Sequence, residues 1–163
     1  MKNNNIKILH LIAGLGNGGA ERQLFELLKE NKDHLLCSFS DSGIYEKKIK
    51  NLGINLITFN LKYPVLIFFK IVKIIQIIKK NNINTIHAWM YNSCFISIFL
   101  KLFLRKRKIK ILWGIRCSNM NVKYYSAQLK LNIFFCKMFS GIADKIIYNS
   151  YAGLGYHNKI GFN

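Results

Sequence analysis

A glycine-rich turn near the start of the chain is the stretch whose residue types are best suited to binding an anion. Glycine lets the backbone turn sharply and approach a ligand closely, and a helix that begins there offers unpaired N–H groups and partial positive charge. The apolar run at 6–12 precedes the turn and predicts a strand, and from Ala20 the leucines follow a helical period. The predicted anion-binding residues are Gly16, Asn17, Gly18 and Gly19. The alternative interpretation is a tight turn that binds nothing.

Polar and aromatic residues also stand at the ends of three later runs that predict strands. They are His87, Trp89, Tyr91 and Asn92 at the fourth strand, Arg116, Ser118 and Asn119 at the fifth, and Ser150 at the sixth. Ligands of open parallel sheets bind at the carboxyl ends of the strands. We therefore expect these residues and the glycine turn to converge along one edge of a sheet.

The side chains at the fourth strand have the chemistry to recognise a sugar. His87 could donate a hydrogen bond to a sugar hydroxyl or a phosphate, which is a catalytic role, or it could be a satisfied histidine of the core. Trp89 and Tyr91 could stack on the C–H side of a sugar ring, or they could simply be packed. Asn92 offers both a donor and an acceptor.

Three further side chains have one functional and one structural interpretation each. Arg116 could bind a phosphate or carboxylate in bidentate fashion, or it could be a surface arginine. Ser150 is predicted to cap the last helix, with a phosphate contact as the second interpretation. Glu21 lies in the first turn of the first predicted helix, where it could favour the helix dipole or contact a substrate.

The predicted elements alternate along the chain with short connections. Strands are predicted at 6–12, 34–40, 54–59, 83–89, 110–115 and 145–148, helices from Ala20 and at 43–52, 65–80, 94–104, 126–142 and after Ser150, and a loop at 90–93. This order predicts an α/β fold with a Rossmann-like, doubly wound parallel sheet of about six strands. The length of 163 residues suits a single domain.

The charge of the chain is strongly positive. A net charge of +18 is explained either by a compositional preference for lysine or by an anionic partner such as nucleic acid, lipid or a phosphorylated substrate. The apolar helices predicted at 65–80 and 94–104 are interrupted or followed by basic residues, including those at 105–108. This pattern favours peripheral contact with an anionic membrane, although packed helices with solvated lysines are the simpler interpretation.

The cysteines and the N-terminus indicate a cytoplasmic protein. Cys37, Cys94, Cys117 and Cys136 are far apart and form no C-x-x-C pair, so we predict reduced thiols and no metal site. The apolar run at 6–12 is too short for a signal peptide.

Four segments together resemble the N-terminal domain of GT-B glycosyltransferases, the retaining family-4 type. They are residues 15–22, 86–91, 112–119 and 143–150, followed by His157 and Gly161, and they keep the family's order and spacing over nearly the whole chain. One departure is Asn92, where related sequences often carry histidine after the Met-Tyr pair. An acid–base role at that position is therefore in doubt.

The resemblance implies an enzyme with two Rossmann-like domains, of which residues 1–163 are the acceptor-side domain. The glycine loop would reach the diphosphate of a nucleotide-sugar donor, and Glu21, Trp89, Tyr91, Asn92, Arg116, Ser118 and Asn119 would hold a glycan or lipid-linked acceptor. No cofactor or metal would be needed. The donor-binding C-terminal domain is absent, so the chain alone is expected to be inactive. The implied setting is synthesis of cell-surface polysaccharide at the inner face of the membrane, with no nucleic acid bound.

Two other functions remain open. Gly14, Gly16 and Gly19 satisfy G-x-G-x-x-G, and Asp41 follows the second strand where a ribose-binding acid could lie, as in an NAD-dependent oxidoreductase or epimerase. No Y-x-x-x-K pair supports that chemistry. The third function is a basic module that binds nucleic acid or membrane without catalysis, with an affinity that falls steeply with salt.

Overall fold

The computed structural model describes residues 7–31, 33–40, 43–59, 67–117 and 125–162, and these form one six-stranded parallel sheet flanked by helices. The strands are β1 (Ile8–Ile12), β2 (Leu35–Ser38), β3 (Asn55–Thr58), β4 (Thr85–Trp89), β5 (Lys110–Ile115) and β6 (Lys145–Tyr148). Their spatial order is β3-β2-β1-β4-β5-β6, and every neighbouring pair is parallel. The fold prediction is confirmed.

The strand order reverses between β1 and β4. The chain moves outward from β1 to β3 on one side and then crosses back to β4, which pairs with β1 in the register His10 opposite His87. The loops after β1 and β4 therefore diverge and leave a crevice between them, which is where ligands bind in doubly wound sheets.

In the described ranges, six α-helices connect and follow the strands. They are α1 (Gly19–Glu30), α2 (Ile44–Asn51), α3 (Ile67–Lys80), α4 (Met90–Phe103), α5 (Ala127–Met138) and α6 (Tyr151–Ile160), with a short 3₁₀ helix at Ser140–Ile142. Helices α1 and α2 pack against one face of the sheet with Leu36 and Trp89. Helices α3, α4 and α5 pack against the other face with Leu11 and Trp113. The alternation of side chains along each strand divides the core in this way.

The predicted loop at 90–93 is wrong, because these residues form the first turn of α4. The chain passes from β4 into the helix at Met90, whose φ is +63°. This left-handed conformation lets one residue make the whole turn, and it is uncommon outside glycine. Asn92 and Ser93, short polar residues that indicate loops, lie here in the first helical turn.

The predicted ends of the other helices agree better with the structure than the predicted start of α4 does. Ser150 accepts from the Gly153 N–H and so caps α6 as predicted, and Ser126 caps α5 through the Leu129 N–H. Gly53 follows α2 with φ +75°, the left-handed conformation that ends many helices. The predicted helix at 126–142 ends earlier, at Met138, and the 3₁₀ turn completes the span.

Helices α3 and α4 are the most apolar of the fold, and each has 14 residues. A bilayer-spanning helix needs about 20 apolar residues. In the described parts of the chain, no helix meets both the length and the hydropathy that crossing a membrane requires.

Candidate active site

The glycine turn lies between the end of β1 and the start of α1, and it leaves open space at two positions. Gly18 is the N-cap of α1 with an extended backbone, and its carbonyl accepts from the Arg22 N–H at 3.1 Å. A Cβ placed on Gly16 or Gly19 would meet no atom within 4 Å. Packing within the described chain therefore does not require glycine there, whereas close approach of a ligand to the backbone does.

A second glycine, remote in sequence, braces this turn. Gly43 has φ +155°, and a Cβ on it would overlap the Leu15 carbonyl. The Tyr45 N–H donates to that carbonyl at 3.1 Å, and the Leu15 side chain is fully buried. The start of α2 therefore fixes the middle of the glycine turn through direct backbone contact.

Glu21 lies in the first turn of α1, and its carboxylate stands over Gly18. A Cβ on Gly18 would overlap the Glu21 carboxylate, which shows how closely the two lie. This position is favourable for a negative charge because of the helix dipole. The start of α1 therefore already has an anion from the chain itself, and a ligand phosphate has its open approach at Gly16 and Gly19.

Two histidines and a tryptophan form a hydrogen-bonded chain below the crevice, in which His10 and Trp89 are buried and His34 is partly exposed. The Trp89 Nε1–H donates to His10 Nδ1 at 3.2 Å, and His10 Nε2 lies 3.0 Å from His34 Nδ1. Because indole can only donate, His10 must carry its proton on Nε2 and donate to His34. Burial, with smaller contributions from His87 and His34, holds the pKa of His10 well below its usual value, so this imidazole is neutral.

His87 lies beside this chain on the neighbouring strand. Its ring centre is 5.3 Å from that of His10 and 4.4 Å from that of Trp89. Burial first, then Arg116 and His34, lowers the pKa of His87 to about 4. Its Nε2 is buried without a hydrogen-bond partner among the described residues, and it faces Gly114, where a Cβ would come within 3.0 Å. This nitrogen is enclosed by the fold in the present arrangement, so the catalytic role of His87 stays a prediction.

Arg116 leaves the end of β5 and lies over the tryptophan. Its guanidinium carbon is 5.0 Å from the centre of the Trp89 ring, a cation–π distance. Its backbone N–H donates to the Met90 Sδ at 3.4 Å. The Arg116 Nε is buried and has no partner among the described residues, so a ligand would be bound through the terminal nitrogens of the guanidinium.

Trp89 and Tyr91 are packed in the core, which corresponds to the structural interpretation. Trp89 is 1% exposed, and Tyr91 is buried with its hydroxyl next to His157 Nε2. His157 Nδ1 lies 2.6 Å from the Gly153 carbonyl and must donate to it, so the Tyr91 O–H donates to Nε2. In this arrangement neither ring presents a face to a sugar, and the burial gives no support to the stacking role.

A small cavity opens at the carboxyl edge between the starts of α4 and α5. Its volume is about 170 Å³, and its lining consists of Ala13, Phe39, Asn92, Phe95, Ile96, Gln128 and Asn132. The Asn132 Nδ2 donates to the Asn92 Oδ1 at 2.8 Å. This bond leaves the Asn92 amide nitrogen available, so Asn92 keeps the donor that a ligand hydroxyl would use.

The predicted site residues that the structure describes do converge on one edge. Trp89 packs in the same cluster as Ile12 of β1 and Leu15 of the glycine turn, and it contacts both His87 and Arg116. Ser150 also lies at this edge, after β6, where it caps α6. Ser118, Asn119 and Asp41 lie outside the described residues. Within the described ranges, no group of three histidine, cysteine or acidic residues could hold a metal ion.

The fold superposes on solved structures of two other proteins. Anabaena Alr3699/HepE in complex with UDP superposes with a TM-score of 0.76 at 20% identity, over 97% of this chain and 42% of that one. The same protein in complex with UDP-glucose gives 0.75 at 18% identity, over 97% and 41%. A glycosyltransferase from Rickettsia africae gives 0.52 at 20% identity, over 88% and 42%.

These similarities show the fold, and the chain spans 42% of the length of the HepE chain. A scan against protein-family profiles gave no match, and neither did a search of the curated proteins. The chain therefore shares its fold with part of the HepE and Rickettsia africae proteins.

Sequence reasoning missed four residues that organise the site: His10, Gly43, Gly114 and Asn132. His10 could have been identified from the sequence, because a polar side chain inside an apolar strand requires a buried hydrogen-bond partner. Gly114 interrupts the apolar fifth strand, and a strand glycine often marks close approach of a neighbour. No local signal indicates that Gly43 would meet Leu15 or that Asn132 would meet Asn92.

Proposed function

We propose that the chain is the acceptor-side domain of a glycosyltransferase that transfers a sugar from a nucleotide-sugar to a glycan or lipid-linked acceptor. The observation that carries this proposal is that Arg116 and the open glycine turn are both linked to Trp89 at the crevice between β1 and β4. An arginine and a glycine turn that is open at Gly16 and Gly19, at one crevice, are suited to a diphosphate.

Each group has a distinct part in this reaction. The leaving nucleoside diphosphate gains negative charge as the bond to the sugar breaks, and fixed positive groups stabilise that charge without reorganising. The backbone at Gly16 and Gly19, together with Asn17, would approach the diphosphate. Arg116, which the Trp89 ring holds from below, would bind a phosphate of the donor or acceptor.

The acceptor would enter from the cavity beside Asn92. Its polar lining, Asn92, Gln128 and Asn132, matches hydroxyl groups, and Ala13 places it next to the glycine turn. Ser118, Asn119 and Glu21 belong to the same proposal as acceptor contacts. We assign His87 a hydrogen bond to the sugar through one of its ring nitrogens.

The remaining features of the proposal come from the family-4 resemblance and the share of the neighbours that the chain spans. A second Rossmann-like domain would hold most of the nucleotide-sugar and close over this edge. Transfer would retain the anomeric configuration. The enzyme would be a hexosyltransferase of cell-surface polysaccharide synthesis, and it would act in the cytoplasm at the inner face of the membrane. No metal or cofactor takes part in this scheme.

The test compares two glycines that both have room for a side chain. Gly16 lies at the carboxyl edge and Gly141 at the opposite end of the sheet, and a Cβ at either position meets nothing within 4 Å. Gly16→Val and Gly141→Val are introduced into the protein that contains this chain and a donor domain. Transfer of radiolabelled sugar from UDP-hexoses and GDP-hexoses to membrane glycolipid is then measured.

We expect Gly16→Val to abolish transfer at unchanged melting temperature and Gly141→Val to retain it. Equal activity of both variants would overturn the role of the turn. Oxidation of NADH by the wild-type protein, in place of sugar transfer, would overturn the proposed function itself.

A further inference from the structure

The outer side of the α3–α4–α5 layer is covered by large apolar side chains. Phe69 is 70% exposed, and most of the others are about half exposed. They come from all three helices: Phe68, Phe69 and Val72 of α3, Leu102 and Phe103 of α4, and Leu131, Phe134 and Met138 of α5. We call this surface the aromatic face. Exposed apolar area on this scale marks an interaction site.

Phenylalanines of the aromatic face and their partly buried neighbours Phe95, Phe99 and Phe135 contact one another across the helices. Phe68 of α3 contacts Phe103 of α4 edge-on, with ring centres 6.4 Å apart. Phe95 contacts Phe99 on α4 at 5.2 Å and Phe135 on α5 at 5.6 Å. Phe99 and Phe103 are four residues apart and so are neighbours on the helix. The apolar surface is therefore continuous from α3 to α5.

Charge is divided between the two faces of the molecule. The seven acidic residues are Glu21, Glu26, Glu30, Asp33, Asp41, Glu46 and Asp144. None of them belongs to α3, α4 or α5, whereas α1 alone holds three. The aromatic face is followed at the end of α4 by the exposed run Arg105, Lys106, Arg107 and Lys108. It thus combines apolar side chains with cations only.

We propose that the aromatic face docks on an anionic lipid bilayer. Phenylalanine and leucine side chains would enter the boundary between headgroups and acyl chains, and the arginines and lysines would pair with lipid phosphates. Nucleic acid offers no partner for so much apolar area, since its interfaces are polar. Two copies of this chain would bring cations against cations.

The aromatic face also leads to the cavity at the carboxyl edge. Phe95 contacts Phe99, which is next to Phe103 of the aromatic face, and at the same time it lines the cavity beside Asn92. A lipid-linked molecule could keep its chains in the bilayer while its polar head reaches Asn92 and Asn132. This direction of substrate entry rests on the proposed function, whereas docking itself needs neither donor nor acceptor.

The experiment measures co-sedimentation of the chain with phosphatidylcholine vesicles, with and without phosphatidylglycerol. We expect binding to the anionic vesicles to exceed binding to the neutral ones by about tenfold or more and to fall with salt. Phe69→Ser with Phe103→Ser should weaken it by about tenfold. Arg105→Gln with Arg107→Gln should weaken it similarly and flatten its salt dependence.

The matched control lies on the opposite layer. Leu27→Ser with Lys47→Gln changes one exposed leucine of α1 and one exposed lysine of α2, and vesicle binding should stay unchanged. Equal binding to both kinds of vesicle, or equal losses in the control, would overturn the proposal. So would a dimer that Phe69→Ser dissociates, or tighter binding to RNA than to vesicles. Because the assay contains no sugar nucleotide, its failure leaves the transferase proposal standing, and the reverse also holds.

Discussion

The guanidinium of Arg116 lies 5.0 Å from the centre of the Trp89 ring. Trp89 is itself fixed from below by its hydrogen bond to the neutral His10. A buried aromatic ring thus holds a half-buried cation at the mouth of the crevice. This arrangement accounts for the burial of Trp89, which the sugar-stacking interpretation does not.

Arg116→Lys keeps the charge but removes the planar fork and its stacking on the ring. In the protein with its donor domain, we expect kcat/KM for transfer to fall by about tenfold or more, with an unfolding free energy within about 1 kcal/mol of wild type. Steady-state kinetics and urea unfolding measure the two quantities. Arg105→Lys, at the far end of the sheet, is the control, and equal losses in both would contradict a phosphate contact at Arg116.

Stability should fall as the pH drops below 6.5. The pKa of His87 is about 4 in the folded chain, against 6.5 for an unperturbed histidine, so the unfolded state takes up a proton that the folded state refuses. The free energy of unfolding should be at its full value above pH 6.5 and should decrease as the pH falls toward 4. The decrease due to His87 alone should reach about 2 kcal/mol at pH 5. The lowered pKa of His10 acts in the same direction.

Urea unfolding at pH 7.5, 6 and 5 checks this expectation. His87→Gln should flatten the profile by the share that this residue contributes. An unfolding free energy that is constant or rises on acidification would contradict the assigned neutral state of both imidazoles.

Tyr91→Phe should destabilise the chain without altering the site. It removes the O–H that donates to His157 and leaves a buried ring nitrogen without a partner, at a cost of about 1–3 kcal/mol. Tyr151 is 93% exposed, so Tyr151→Phe is the control with the same chemical change and should have no effect. Thermal unfolding compares the two, and a stable Tyr91→Phe variant would disprove the hydrogen-bonded role.

Gly43→Ala should loosen the glycine turn from a distance. A Cβ at Gly43 would overlap the Leu15 carbonyl, in addition to the cost of a φ of +155°, which residues with a side chain rarely adopt. At Gly53, φ is +75° but the space is open, so Gly53→Ala has the conformational cost alone, about 1 kcal/mol.

We expect Gly43→Ala to lose at least about 1 kcal/mol more than Gly53→Ala and to speed amide exchange at Gly16 and Gly19. Equal destabilisation with unchanged exchange would mean that the start of α2 does not support the turn.

The parts of the fold that local pattern determines were predictable. Apolar runs such as 110–115 and the caps at Gly53 and Ser150 fix elements through short-range chemistry. The start of α4 was not predictable, because Met90 makes the turn and no glycine or proline indicates it.

The sequence also predicted that the candidate residues share one edge of the sheet, but not how they contact one another. Strand order alone brings Arg116, His87 and the glycine turn to one edge. The choice between a stacking and a buried Trp89 depends on His10, 79 residues away, and on Arg116 above the ring. No spacing rule along the chain encodes such a contact.

The left-handed turn at Met90 places two demands on a single position. Glycine would adopt φ +63° with less strain, by about 1 kcal/mol, yet it would remove the sulfur that accepts the Arg116 N–H. The strained backbone is therefore the cost of placing a sulfur beside the end of β5. Met90→Gly would relieve that strain but would lose the packing of the side chain and leave the Arg116 N–H without its acceptor, so the variant should melt earlier than the wild type.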